Sequence, residues 1–365
     1  MTTPMHAKRQ DPSAIQIGAL VPLTRPGWVE AGQQLLAGLE LAVADVNDAG
    51  GLNGKRLKLI VRDSAADPQK ASAAVDEISA LGAVAVAGEY HSVVARAAAA
   101  RAEAIGLPFL CSSAVLDALT EQPSRWVARL APPQSRGWRF YADHLLESGC
   151  KHVAVVSQSS VYWAAGIQIL RDHLGPRGAT LVELSSQSPS SVCNELAGSK
   201  ATALVLLVGY PEPAVSIAKA VRQDARLAGL LIGAPAGQPE FADWAKLLDG
   251  QGAAVPFLRY LPERLSPLGQ RAGAALQERL GGTPSFVAFE GYDSVAVLAQ
   301  MIQTYGEDRA QIADAWPRVA VEGTRGTIRF SRLPGISVWQ WASAPVQVAD
   351  RDPADTARFR ILRSG

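Results

Sequence analysis

Residues 15–63 decide the fold: IQIGALV (Ile15–Val21), then GLELAVADVN (Gly38–Asn47), GGLNGKRL (Gly50–Leu57) and a second apolar run ending at Asp63. The first run is short, apolar and partly β-branched, as in a strand buried on both faces. The next stretch, over about Ala31–Ala49, places Leu39, Ala42, Val43 and Val46 on one helical face. Gly50-Gly51 ends that helix and Gly54 turns the chain into a strand over Leu57–Asp63, because glycine takes positive φ without steric penalty. The result is a strand–helix–strand unit, and such units build parallel sheets.

The pattern continues. A helix over about Pro68–Leu81, a strand at Val84–Ala87, a helix over about Val93–Ile105 and a strand at Pro108–Cys111 complete one doubly wound lobe. Pro132-Pro133 breaks the series. A second series then runs from a helix at Ser135–Glu147 through strands His152–Ser157, Thr180–Leu184, Ala203–Val208 and Leu230–Gly233. Two amphipathic segments, Leu265–Leu280 and Phe286–Tyr305, and a β-rich tail follow. The predicted fold class is therefore α/β, with two doubly wound parallel-sheet lobes. The first lobe is expected over 14–131 plus 259–331 and the second over 132–258 plus 332–350. Residues 1–13 and 351–365 are expected as terminal extensions. Three chain crossings join the lobes, near Leu130–Pro133, Val255–Arg259 and Phe330–Gly335.

Composition narrows the function. The 365 residues carry 35 basic and 34 acidic side chains, a formal charge of +1, so no net field favours nucleic acid. Cys111, Cys150 and Cys193 are widely spaced, and His6, His91, His144, His152 and His173 form no HxxxH pair, so neither a disulfide framework nor a metal or other cofactor is expected. GxGxxG after the first strand, GxxxxGK[ST] and GxSxG are all absent, which argues against nucleotide binding and serine hydrolysis. His91-Ser92 as base and nucleophile lacks a third orienting group, so the chain is expected not to be an enzyme. The opening MTTPMHAKRQDPSA lacks the apolar stretch of about 7–15 residues that an export signal needs. No apolar run reaches about 18 residues, so membrane insertion is not expected. As written the chain reads as cytoplasmic, and as periplasmic or extracellular if a signal has been removed.

Ala19-Leu-Val-Pro-Leu-Thr24, Gly38–Asn47, Gly50–Leu57, Asp63 with Asp67-Pro68 and Ala71, and Gly291-Tyr-Asp-Ser-Val295, taken in order, resemble the Leu/Ile/Val-binding branch of the type I periplasmic binding proteins. The resemblance implies a receptor that closes two lobes around a small ligand, as the substrate-binding component of an ABC-type importer. The alternative is a cytosolic sensor on the same fold, acting on a regulatory protein instead of an ABC permease.

The resemblance and the rule that open α/β sheets bind ligands beyond strand C-termini point to the same loops. The first is Gly88-Glu-Tyr-His-Ser92, where Tyr90 and His91 precede Ser92, which matches the family's carboxylate-binding serine; a plain N-cap role for Ser92 is the competing reading. The second is Cys111-Ser-Ser-Ala-Val115, where Ser113, Ala114 and Val115 match a loop that binds through backbone groups. Tyr162 and Tyr210 match aromatic positions over the ligand, and Trp28 and Trp163 are further candidate walls. Phe286 and Tyr292 sit at helical spacing and read more readily as core. The sequence departs from the amino-acid-binding pattern in two places, with Val115 for a threonine and no acid near Pro235. An α-ammonium would lose two partners, so a carboxylate or amide ligand is expected unless Glu89, Asp117 or Glu212 supplies an acceptor.

Overall fold

The computed structural model describes residues 13–365. The leading segment, including His6 and the stretch read for an export signal, lies outside the described residues.

The chain divides into two compact units, residues 1–131 with 265–344 and residues 132–264 with 345–365. The first unit contains β1 (Ala14–Val21), α1 (Val29–Asp48), β2 (Arg56–Asp63), α2 (Pro68–Ala80), β3 (Ala85–Gly88), α3 (Ser92–Ala104), β4 (Phe109–Cys111) and β5 (Val127–Arg129). The second contains α4 (Gln134–Glu147), β6 (His152–Ser157), α5 (Val161–Leu174), β7 (Thr180–Glu183), α6 (Pro189–Ala197), β8 (Ala203–Leu207), α7 (Ala214–Gln223), β9 (Leu231–Gly233), α8 (Ala242–Leu248) and β10 (Phe257–Arg259). The chain then returns to the first unit for α9 (Pro267–Leu280), α10 (Phe286–Tyr305), α11 (Arg309–Ala315), β11 (Ala320–Gly323), β12 (Gly326–Ser331) and β13 (Trp339–Trp341). It ends in the second with β14 (Gln347–Asp352) and β15 (Asp355–Ser364).

The first unit's sheet has the order β11-β12-β13-β5-β4-β3-β1-β2. The run from β2 to β5 is parallel, and so is the β5–β13 pair, while β11, β12 and β13 pair antiparallel. The second unit has a parallel sheet, β7-β6-β8-β9, and a separate antiparallel sheet, β10-β14-β15. In both parallel sheets the first strand lies between the second and third. The connections therefore diverge between β1 and β3 and again between β6 and β8, and each divergence leaves a crevice at the strand C-termini.

Packing in the first unit explains the motif residues. Helices α1 and α10 approach so closely that a Cβ on Gly38 would lie 1.9 Å from the Ala288 carbonyl oxygen, and one on Gly291 2.3 Å from that of Leu35. Tyr292 donates its hydroxyl to Asp45 on α1 at 2.6 Å. Asp293 accepts from the Thr324 amide and hydroxyl and pairs with Arg325, all buried. Ser294 meets Ser112, at the end of β4, at 2.7 Å. Tyr292 and Phe286 are thus core residues, 5% and 2% exposed.

Three boundaries differ from the sequence expectation. Residues 332–344 belong to the first unit, because Trp339–Trp341 pair with Val127–Arg129 and with β12. Residues 259–264 belong to the second unit, continuing from β10. Residues 351–365 are no extension: Asp355–Ser364 form a strand along β14, fixed by Arg360 on Asp350. The β-rich tail adds antiparallel pairing to the first unit's sheet and a separate antiparallel sheet to the second unit.

Candidate functional site

In the first unit the β1–α1, β3–α3 and β4–β5 loops leave the same end of the sheet, the first two flanking the divergence of connections between β1 and β3. Asp63, at the end of β2, braces the first loop. Its Oδ1 accepts the Leu23 and Ala65 amides at 2.7 and 2.8 Å, and its Oδ2 accepts the Thr24 hydroxyl at 2.6 Å. Partial burial favours the neutral acid, but these hydrogen bonds outweigh it and hold the carboxyl below its ordinary range. That loop ends at Trp28, which leads into α1.

The second loop is tied to the first through an imidazole. The Trp28 amide donates to His91 Nε2 at 3.4 Å, which leaves the His91 proton on Nδ1, 3.3 Å from Glu89 Oε1. The same Glu89 oxygen accepts the amides of Tyr90 and His91 at 2.8 and 2.9 Å. The rings of Trp28, Tyr90 and His91 form one half-buried cluster with centroids 5.4–6.3 Å apart. Gly88 stands where β3 meets this loop at φ +132°, and a Cβ there would be 2.0 Å from the Leu20 carbonyl oxygen on β1.

Ser92 is not the N-cap of α3. His91 holds that position, and Ser92 is the first helical residue. Its hydroxyl oxygen accepts the backbone N–H of Val115 and of Leu116, each at 3.2 Å. Arg129, fully buried on β5, grips the carbonyls of the same two residues at 3.0 and 2.6 Å and Gln340 Oε1 at 2.7 Å. The amides of Ser113 and Ala114 are bonded to the Glu89 carbonyl at 3.3 and 3.1 Å. This corrects the expected role of the third loop: the N–H groups of Ser113, Ala114 and Val115 hold the two loops together and are not spare for a ligand. What remains on this surface is the Ser92 hydroxyl proton and the first-turn amides of α3, while the Ser113 hydroxyl faces Glu290. Beneath them lies Glu290, fully buried beside Arg325 at 3.2 Å. Burial pushes its carboxyl up to about 7, with Arg325 opposing the shift.

In the second unit, Tyr162 starts α5 after β6, and Tyr210 follows β8, at the divergence between those strands. Gln158 ties the two loops by accepting the Gly209 amide at 2.7 Å. Tyr162 meets Trp138 edge-on at 5.8 Å and Trp163 at 4.7 Å, and its carbonyl accepts from Gln134 Nε2 at 3.0 Å. Tyr210 belongs to a different stack, with Phe241 and Trp244 at 6.1 and 6.4 Å. Trp163 is 8% exposed against Trp138 and serves as core, not wall.

Sequence reading missed Gln134 and Gln238, both buried at the same end of the second sheet as the two tyrosines. The segment after Pro132-Pro133 could have flagged Gln134, since it opens a helix. After Pro235 the chain presents Gln238 as a neutral amide, and the nearby acid, Glu240, is buried against Arg259 at 2.8 Å. Glu212 is exposed and accepts the Ser216 amide in the first turn of α7.

Each unit thus carries loops at the divergence of its parallel strands, where open α/β sheets bind ligands. The periplasmic binding protein family profile matches residues 14–336, and the chain belongs to that family. Among curated relatives, the Leu/Ile/Val-binding protein homolog 8 of Brucella abortus is 27% identical over 186 residues, 48% of this chain and 46% of the relative. The chain thus spans about half the length of these relatives. The leucine-binding protein LivK of Thermotoga maritima superimposes with a TM-score of 0.80 at 18% identity, covering 95% of this chain and 97% of its own. A solute-binding protein of an ABC transporter from R. palustris, solved with benzoate, gives a TM-score of 0.80 at 18% identity, covering 96% of each chain. Among the described residues no helix is long and apolar enough to cross a membrane.

Proposed function

We propose that the chain is the solute-binding component of an ABC-type importer and binds, without chemistry, a small ligand with a carboxylate or amide head and no α-ammonium. Ser92 takes the head group and the Trp28, Tyr90 and His91 rings flank it; in the second unit, Tyr162 and Tyr210 are the proposed ligand residues by their place after β6 and β8. The observation that carries this reading is the absence of a partner set for an ammonium at the expected positions. Val115 has an apolar side chain and its amide is spent on Ser92. The position after Pro235 leads to Gln238, and Glu240 is already neutralised by Arg259. An ammonium brings three donors, and each left unmet on burial costs about 1–3 kcal/mol.

The structural relatives support the importer role by their descriptions, and they include proteins solved with benzoate as well as with leucine or isoleucine. Calorimetric titration of leucine against 4-methyl-2-oxopentanoate, benzoate and their amides tests the reading. An acid or amide is expected to bind more tightly than leucine; tighter binding of leucine defeats it.

A further inference from the structure

We propose that the Glu89 carboxylate selects the ligand's head group and favours a primary amide over a carboxylate. This rests on the reading of Ser92 given above and sharpens it.

Glu89 is fully buried, yet only half of its carboxylate is used. Oε1 faces the Tyr90 and His91 amides and His91 Nδ1. Oε2 is equally buried and has no hydrogen-bond partner among the described residues. A buried carboxylate oxygen without a donor is costly, so such an atom is expected to meet one when the protein is at work. Three residues along the same loop, Ser92 presents the opposite need. Its oxygen already accepts two amides, so what it has left to offer is a proton. One loop therefore carries an unmet acceptor and an unmet donor.

A primary carboxamide is the complement of that pair: its carbonyl accepts from Ser92 while its NH2 donates to Glu89. A ligand carboxylate satisfies Ser92 but brings a second acceptor oxygen toward Glu89 Oε2, so that acceptor faces acceptor and neither gains a donor. An α-amino acid could also meet both groups, its ammonium on Glu89 and its carboxylate on Ser92, and the leucine titration described above distinguishes that outcome.

The test is calorimetric titration of the full chain with matched pairs, benzamide against benzoate and isovaleramide against isovalerate, at pH 7.5. The wild type is expected to bind each amide at least tenfold more tightly than its acid. Glu89→Gln keeps an oxygen for the Tyr90 and His91 amides and turns the other atom into a donor, so the order is expected to reverse in favour of the acids. Thermal unfolding without ligand confirms that the variant is folded. Equal or tighter binding of acids by the wild type overturns the proposal without recourse to any variant, while leaving the carboxylate-or-amide reading intact. A folded Glu89→Gln protein with an unchanged amide-to-acid ratio also overturns it and reduces Glu89 to a brace for its own loop. If leucine binds and neither acids nor amides do, the underlying reading falls with it.

Discussion

The hydroxyl oxygen of Ser92 accepts the amide of Val115, 23 residues further along the chain, at 3.2 Å, and the amide of Leu116 at the same distance. A side chain that the family pattern assigns to ligand is therefore also a structural clamp between two loops. Removing it leaves two buried N–H groups without an acceptor, at about 1–3 kcal/mol each. Ser92→Ala is thus expected to lower unfolding free energy by about 2 kcal/mol or more, beyond the loss of an ordinary helix cap at about 1 kcal/mol. Denaturant unfolding measures this, and a loss under half a kcal/mol contradicts the clamp.

Asp63 should govern part of the acid response. Its folded pKa lies below the ordinary 3.8, so its contribution is fully present above that value and is lost as pH falls through the lower, folded value. Asp63→Asn keeps one oxygen for the Leu23 and Ala65 amides and removes the charge. Its stability is expected to be about 1–2 kcal/mol lower at pH 7 and to fall less steeply below pH 4. Parallel acid limbs for the two proteins would count against this.

Glu290 has the opposite sign. Its folded pKa of about 7 exceeds the ordinary 4.5, so the native state holds more protons than the unfolded chain between those values. Stability contributed by this group is present below pH 4.5 and declines as pH rises toward 7. Glu290→Gln retains an acceptor for Arg325 without the titration. The variant is expected to show a flatter stability profile between pH 5 and about 7 than the wild type. Urea unfolding across that range shows whether the two slopes differ.

Gly291→Ala tests the contact between α1 and α10. The added methyl meets the Leu35 carbonyl oxygen at 2.3 Å, and a helix backbone cannot step aside as a side-chain tip can. A loss of about 3 kcal/mol is expected, at the upper end of overpacking costs. Unchanged thermal stability would mean the helices separate easily.

The long elements were legible because their residues speak locally. Phe286–Tyr305 is the same helix in sequence and structure, and β1 differs by one residue. Strands such as Val127–Arg129 and Phe257–Arg259 are three residues long, too short for any period to show. The destination of Trp339–Trp341 depends on pairing with a strand more than 200 residues earlier, which no local pattern encodes. At the site, the loops and Ser92 could be found from their position after strands. The partners of Ser92, the half-used carboxylate of Glu89 and the buried amides of Gln134 and Gln238 arise from tertiary contacts alone.

The pairing of β13 with β5 also sets an order of events during synthesis. Every strand of the second unit's parallel sheet lies within residues 152–233, so that sheet can assemble as soon as those residues leave the ribosome. The first unit begins earlier but must wait for residues 265–344, and until Gln340 arrives the guanidinium of Arg129 lacks one of its buried acceptors. The second unit's parallel sheet is thereby complete in sequence before the first unit's sheet, although the second unit itself still waits for β14 and β15, and a ribosome halted near residue 330 would carry the one sheet finished and the other unsealed.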